Sequence, residues 1–289
     1  MRFATFGDMG TYMPFGHMVS KMISNFHTAK AYDFVFLTGD IAYAGIGHKE
    51  IDELEPIWDL FGEQIESFAS NLAFMPGVGN HEAPNNFTSY LYRYRLPRKS
   101  ENQTNLWFSF NYGQVHIVYI SSEHEYGFGS EQYDFLEEDL KNARENPHIK
   151  WIIVGAHKAF YYSDKKEYEP VSPLAKKLED LVNKYKVDLV QTGHLHSYER
   201  TWPVYKGKAI KENHDEKYYV NPTTPIYVVQ GTGGALINEQ WLDPAPEWSL
   251  KRSLKYGYGQ VTIKANYLKY EFVTLPLGKI VNTRYIIKD

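Results

Sequence analysis

The chain alternates short apolar runs with longer segments of helical periodicity. Runs rich in Phe, Val and Ile lie at Arg2–Phe6, Phe34–Leu37, Leu72–Met75, Trp151–Val154 and Val187–Val190. They are too short for helices and too apolar for loops, which predicts buried strands. Between them, apolar positions recur at helical spacing over Phe15–Ala29, Glu53–Ser70, Glu131–Arg144 and Pro173–Tyr185. Strand and helix in alternation predict βαβ units around a buried sheet. Trp107–Phe110 and Val115–Ser121 flank Tyr112-Gly113-Gln114, the pattern of a β-hairpin. From about Pro225 the chain reads as strands joined by turns, with Gly257–Glu271 and Phe272–Ile287 as antiparallel strands. We see no internal repeat or linker. The pattern predicts a single α/β sandwich over residues 1–289, with a β-rich C-terminal portion (about 225–289) packed onto it.

Composition narrows the function classes. Hydrophobic residues make up 43% of the 289 and charged residues 23%, enough to fill a sizeable core. The formal net charge is -4. A nucleic-acid partner would call for a basic stripe, and an anionic membrane surface for a polybasic segment. Neither is present, so neither partner is expected. No apolar stretch approaches the roughly 18 residues of a membrane span. Met1-Arg2-Phe3 runs directly into a strand-like segment, without a charged-then-apolar leader pattern. There are no cysteines. Disulfides, thiolate ligands and a Cys nucleophile are therefore excluded, and any metal must be held by His, Asp, Glu, Asn or Tyr. The absence of Cys leans towards a reducing compartment without excluding a secretory one. Asn86-Phe87-Thr88 and Asn102-Gln103-Thr104 have the form of glycosylation sequons, the signature of a glycoprotein.

Chemistry collects where the apolar runs end. Arg2–Phe6 leads to Gly7-Asp8, and Phe34–Leu37 to Thr38-Gly39-Asp40. Leu72–Met75 leads to Gly79-Asn80-His81, and Trp151–Val154 to Gly155-Ala156-His157. Val187–Val190 leads to Gly193-His194-Leu195-His196. Singly, each has an ordinary explanation: an Asp after a strand is commonly a turn or cap. Together and in this order they predict a site, because α/β sheets bind ligands beyond the carboxyl ends of their strands. If the strands lie side by side, these groups converge. The glycines would let the backbone turn sharply and aim the side chains into one pocket.

The ordered segments GDMG (Gly7–Gly10), GDIAY (Gly39–Tyr43), GNHE (Gly79–Glu82), VGAH (Val154–His157) and GHLHSYER (Gly193–Arg200) resemble the calcineurin-like metallophosphoesterase superfamily. Within it they resemble the purple acid phosphatases. Most metallophosphoesterases carry a His two residues after the first Asp, where this chain has Gly10. They also carry an Asp three residues after the second, where this chain has Tyr43. The resemblance extends through Tyr227–Ala235 and Tyr256–Val261 to the C-terminus. It implies a metallophosphoesterase-type αββα sandwich of two mixed β-sheets flanked by helices.

The resemblance also implies a two-metal centre. One ion would be held by Asp8, Tyr43, His196 and a bridging Asp40. That hard, anionic set suits Fe(III). The other would be held by Asn80, His157, His194 and the same Asp40, a mostly neutral set suited to a divalent ion: Zn, Mn or Fe. The expected reaction is acid hydrolysis of phosphate monoesters by a metal-activated hydroxide attacking phosphorus. A phosphodiesterase or nucleotide pyrophosphatase is the alternative. His81 would face the substrate as a catalytic group rather than a ligand. The family is secreted or lysosome-like vesicular, which sets the expected location. Many members carry a further His shortly after the His157 position, but Lys158–Pro170 contains none. Lys165, Lys166, Tyr161 and Tyr168 are the candidates to replace it. No segment here is expected to match the extra N-terminal β domain of plant-type members.

Overall fold

The computed structural model describes residues 1–45, 53–98, 103–237 and 240–289. The chain begins with β1 (Arg2–Phe6), α1 (Gly16–Lys30), β2 (Phe34–Thr38), α2 (Glu55–Ala69), β3 (Ala73–Gly77) and α3 (Thr88–Arg93). There follow β4 (Phe108–Tyr112), β5 (Val115–Ile120), α4 (Glu131–Glu145), β6 (Trp151–Ala156), α5 (Pro173–Lys184), β7 (Leu189–Thr192) and β8 (Tyr198–Thr201). A small hairpin of β9 (Val204–Tyr205) and β10 (Lys208–Ala209) precedes β11 (Tyr218–Val220) and β12 (Ile226–Gln230). The last strands are β13 (Ser249–Ser253), β14 (Gly257–Ile263), β15 (Tyr267–Thr274) and β16 (Lys279–Ile287).

The strands form two seven-stranded sheets, ordered β11-β16-β15-β14-β1-β2-β3 and β13-β8-β12-β7-β6-β5-β4. Both mix parallel and antiparallel pairs: β1–β2–β3 and β5–β6–β7 run parallel, whereas β14–β1 and β4–β5 run antiparallel. β2, β5 and β6 are buried along their whole length, as strands covered on both faces must be. α1 and α2 set Val19, Ile23, Trp58, Phe61 and Phe68 into the core of the first sheet. α4 and α5 set Leu136, Leu140, Leu178 and Val182 against the second. The layers are thus helix, sheet, sheet, helix. Serine caps start both second-sheet helices. Ser130 Oγ accepts from Tyr133 N at 3.2 Å, and Ser172 Oγ from Ala175 N at 3.1 Å.

The structure departs from the sequence reading in three ways. First, the strands whose ends carry the chemistry are not side by side in one sheet: β1, β2 and β3 belong to the first, β6 and β7 to the second. Second, the C-terminal portion is woven into the sandwich rather than packed onto it. β14 pairs with β1, Arg2 opposite Thr262, and β12 lies between β8 and β7. An unpaired β1 edge would leave a row of backbone donors and acceptors unmet, and β14 supplies them. Third, the two long strands expected from Gly257 onward are three. Lys264–Asn266 and Leu275–Gly278 turn the chain, with Gly278 at φ 68°. The sequon at Asn86 lies on an exposed turn after β3, while that at Asn102 lies outside the described residues. Among the described residues, no helix is long and apolar enough to cross a membrane.

Candidate metal centre

The carboxyl ends of β1, β2 and β3 face those of β6 and β7 across the gap between the sheets, and the predicted side chains meet there. Backbone geometry explains how. Asp8, Asp40, Tyr43 and His194 all have positive φ, 61°, 54°, 54° and 68°. That conformation is uncommon for side-chain-bearing residues and clusters at functional sites. The tight turn is therefore made largely by these residues themselves. Of the preceding glycines, Gly39 does turn, at φ 84°. Gly79 and Gly193 instead allow close approach. A Cβ on Gly79 would stand 2.3 Å from Asp40 Oδ1, and one on Gly193 2.5 Å from Asp8 Oδ2.

Asp40 occupies the middle. Its Oδ2 accepts from Tyr43 Oη at 3.3 Å, and its Oδ1 lies 3.2 Å from His157 Nε2. On the Oδ2 side, Tyr43 Oη also lies 3.3 Å from Asp8 Oδ1 and 2.9 Å from His196 Nε2. On the Oδ1 side, His157 Nε2 lies 3.1 Å from Asn80 Oδ1 and 3.2 Å from His194 Nδ1. The residues thus form two donor groups that share Asp40. His81 stands at the wall, its ring tilted 34° against Tyr43 with centroids 4.1 Å apart, and its Nε2 3.9 Å from Asp40 Oδ2. A cleft of about 350 Å³ opens above, lined by Asp40, Asn80, His81, Lys166, His194 and His196, among others.

The donors fit metal ions. Asp40, His157 and His194 each offer an atom within 4.8 Å of the others'. His157 Nδ1 meets the Thr38 carbonyl at 2.9 Å, and His196 Nδ1 meets the Leu236 carbonyl at 2.7 Å. Each ring is thereby fixed with Nε2 towards the centre, the arrangement metal-bound histidines use. His194 presents Nδ1 inward because its Nε2 meets Glu167 Oε2 at 3.1 Å. Electrostatics point the same way, because Asp8 and Asp40 are buried together and call for positive charge. Without metal, histidine protons meet that need. Burial opposes a charge on His157, but the Asp40 carboxylate outweighs it and pushes the imidazole up to about 10. Burial, then the Asp40 and Asp8 carboxylates, hold the Tyr43 phenol well above its ordinary value. A cation between these groups reverses that field.

Sequence reasoning missed several contributors. Glu82 is fully buried, and its carboxylate accepts from Gly79 N, Asp40 N and Ile41 N, each at 2.8 Å. It pins the loop after β2 to the loop after β3. Burial, then Asp40, pushes its carboxyl up to about 8. Glu82 closes the GNHE segment, so the signal was present without its meaning. Glu167 lies in a charged loop with no telling pattern. The Thr38 and Leu236 carbonyls are backbone groups that no side-chain motif announces. Of the proposed replacements for the missing His, only Lys166 lines the cleft. Tyr161 is buried elsewhere, on Glu179 and Gly207 N, and Tyr168 packs against the second-sheet core.

Residues 1–198 match the calcineurin-like phosphoesterase family, and residues 224–281 match the family described as iron/zinc purple acid phosphatase-like protein C. The chain is 33% identical over 286 residues to probable purple acid phosphatase 20 of Arabidopsis thaliana, covering 94% of this chain and 61% of that protein. It is 32% identical over 316 residues to acid phosphatase type 7 of Danio rerio, covering 99% of this chain and 68% of that protein. The structure of purple acid phosphatase PPD1 from yellow lupin seeds superposes with a TM-score of 0.88 at 27% identity. That match covers 100% of this chain and 54% of the lupin protein.

Proposed function

We infer the function from a premise: the chain belongs to the calcineurin-like phosphoesterase family, in its purple acid phosphatase branch. We propose that it hydrolyses phosphate monoesters at a centre of one Fe(III) and one divalent ion, Zn, Mn or Fe. Asp8, Tyr43, His196 and Asp40 would hold the first, and Asn80, His157, His194 and Asp40 the second. The observation that carries this reading is the position of Asp40, with one oxygen towards the Tyr43 group and the other towards the His157 group. When bound, the ions polarise water and offset the charge of the phosphoryl oxygens.

The chain's own residues do the rest. Asn80, His194 and His196 line the cleft, so the proposed ligand set faces the space a phosphate would enter. Lys166 adds positive charge on the open side. His81, packed at a tilt against Tyr43, stands where it can give a ring proton to the leaving-group oxygen. Residues 1–289 act as one catalytic domain in this reading, because both sheets supply ligands. A secreted or vesicular location and glycosylation at Asn86 belong to the same proposal.

The test is turnover of the metal-loaded protein on an aryl phosphate monoester beside the matching diester, with leaving groups of different pKa. The monoester should be the better substrate. In His81→Ala, poor leaving groups should slow by on the order of a hundredfold, and good ones less. Faster turnover of the diester would move the chain to the phosphodiesterase reading. An equal loss for all leaving groups would remove the proton-donor role.

A further inference from the structure

A second recess, of about 340 Å³, opens beside the cleft and shares Glu167, His194 and Leu195 with it. Because His194 borders both cavities, an ester with its phosphate over that ring would have this recess open beside it for its alcohol part. Its wall includes Ser122, Tyr126, Lys158, Tyr162, Glu167 and Leu174. The two tyrosines are held in place. Tyr162 packs on Ala159, Leu195 and Val229, and its Oη donates to the Glu167 carbonyl at 2.9 Å. Tyr126 rests on the second-sheet core, with the Lys177 ammonium 4.7 Å from its ring centroid. Fixed aromatic walls favour a flat partner at little entropic cost.

The charges in the recess largely cancel. Lys158 Nζ is 2.9 Å from Glu123 Oε2, and Glu169 is paired with Lys176 at 3.3 Å. Glu167 differs: its partner is the ring of His194, at 3.1 Å, rather than a lysine. The Glu167 loop is anchored: Asp164 Oδ1 accepts from Lys166 N at 2.9 Å and from Glu167 N at 3.1 Å. Buried Glu199 takes Ser163 N at 2.8 Å. A carboxylate is thus fixed between the phosphate side and the recess. It repels an anionic group entering there.

We propose that this recess receives the alcohol part of the ester, and that it selects an uncharged aromatic ring over an alcohol bearing a further anionic group. This rests on the phosphomonoesterase reading. Binding of non-hydrolysable phosphonates to the metal-loaded chain, measured by titration calorimetry, tests it without turnover. Phenylphosphonate should bind about three- to tenfold tighter than methylphosphonate. Tyr126→Ala should erase that advantage while leaving methylphosphonate affinity unchanged, and Tyr126→Phe should keep it. Carboxyethylphosphonate should bind more weakly than methylphosphonate, and Glu167→Gln should narrow that gap. Equal affinity for phenyl- and methylphosphonate in the wild type would overturn the proposal, as would equal losses for both in Tyr126→Ala. Selective binding by a protein that hydrolyses no monoester would refute the hydrolase reading and leave the recess assignment standing.

Discussion

The two sheets deliver different chemistry to one crevice. The first supplies Asp8, Asp40, Tyr43 and Asn80, three of which would be anionic in the proposed metal centre. The second supplies His157, His194 and His196, which would be neutral in the proposed metal centre. The halves are also held differently. The first-sheet loops are tied through their backbones, by the Glu82 carboxylate and by Asp8 N donating to Gly39 O at 3.1 Å. The second-sheet histidines are fixed at their side chains, through the ring nitrogen turned away from the centre. The proposed dinuclear site, with its unlike halves, thus needs no long-range design. Each sheet carries its own donor type, and their facing ends bring the types together.

Asp40 belongs to both halves, so its loss should have the largest effect. Asp40→Ala should lower turnover by on the order of 10³-fold or more and reduce occupancy at both positions. His194→Ala should deplete mainly the divalent ion. Equal depletion of both ions in His194→Ala would break the division into halves. Metal analysis of the purified variants decides it.

Glu82 tests the first-sheet side alone. Removing its carboxylate strands three buried N–H groups. Glu82→Ala should therefore cost about 3 kcal/mol of stability, read as a lower urea midpoint at unchanged m-value. A midpoint within error of wild type would show that the clamp is dispensable.

A gentler probe is pH, applied to the metal-free and metal-loaded proteins. Without metal, folded His157 holds its proton up to about 10, against 6.5 for the free group. Its contribution is full below 6.5 and lost as pH rises towards 10. Glu82, raised from 4.5 to about 8, has the same sign: its contribution is present below 4.5 and lost by 8. Asp40 runs opposite, because the histidines beside it outweigh its burial and depress it. Its contribution is lost only as pH falls below 3.8. The melting temperature of the metal-free protein should thus fall between about pH 5 and pH 9. Metal binding displaces the His157 proton, so the gap between loaded and metal-free melting temperatures should widen over that range. A constant gap would separate His157 from the metal.

How much of this was legible beforehand differs between the same two halves. The strand ends and the side chains gathered there could be read because buried parallel strands make apolar runs that stop abruptly at Asp8, Asp40 and His157. The division into two sheets could not. Sheet membership depends on which strand completes which edge, and β14 finds β1 from more than 250 residues away. Local sequence pattern likewise gives no sign that β12 enters between β8 and β7. The groups that hold these side chains in place were hidden for another reason. Thr38 and Leu236 act through carbonyls, and Glu82 acts on backbone N–H groups, so their side-chain identities carry little of the signal.

The contrast between an anionic half and a neutral half is the central claim, and Tyr43 is where it is most exposed. Metal content and visible absorption of the purified protein, wild type beside Tyr43→Phe, test it directly. The account predicts two metal ions per chain, one of them iron, and a visible tyrosinate-to-iron band that Tyr43→Phe abolishes. A colourless wild type holding two divalent ions would contradict it.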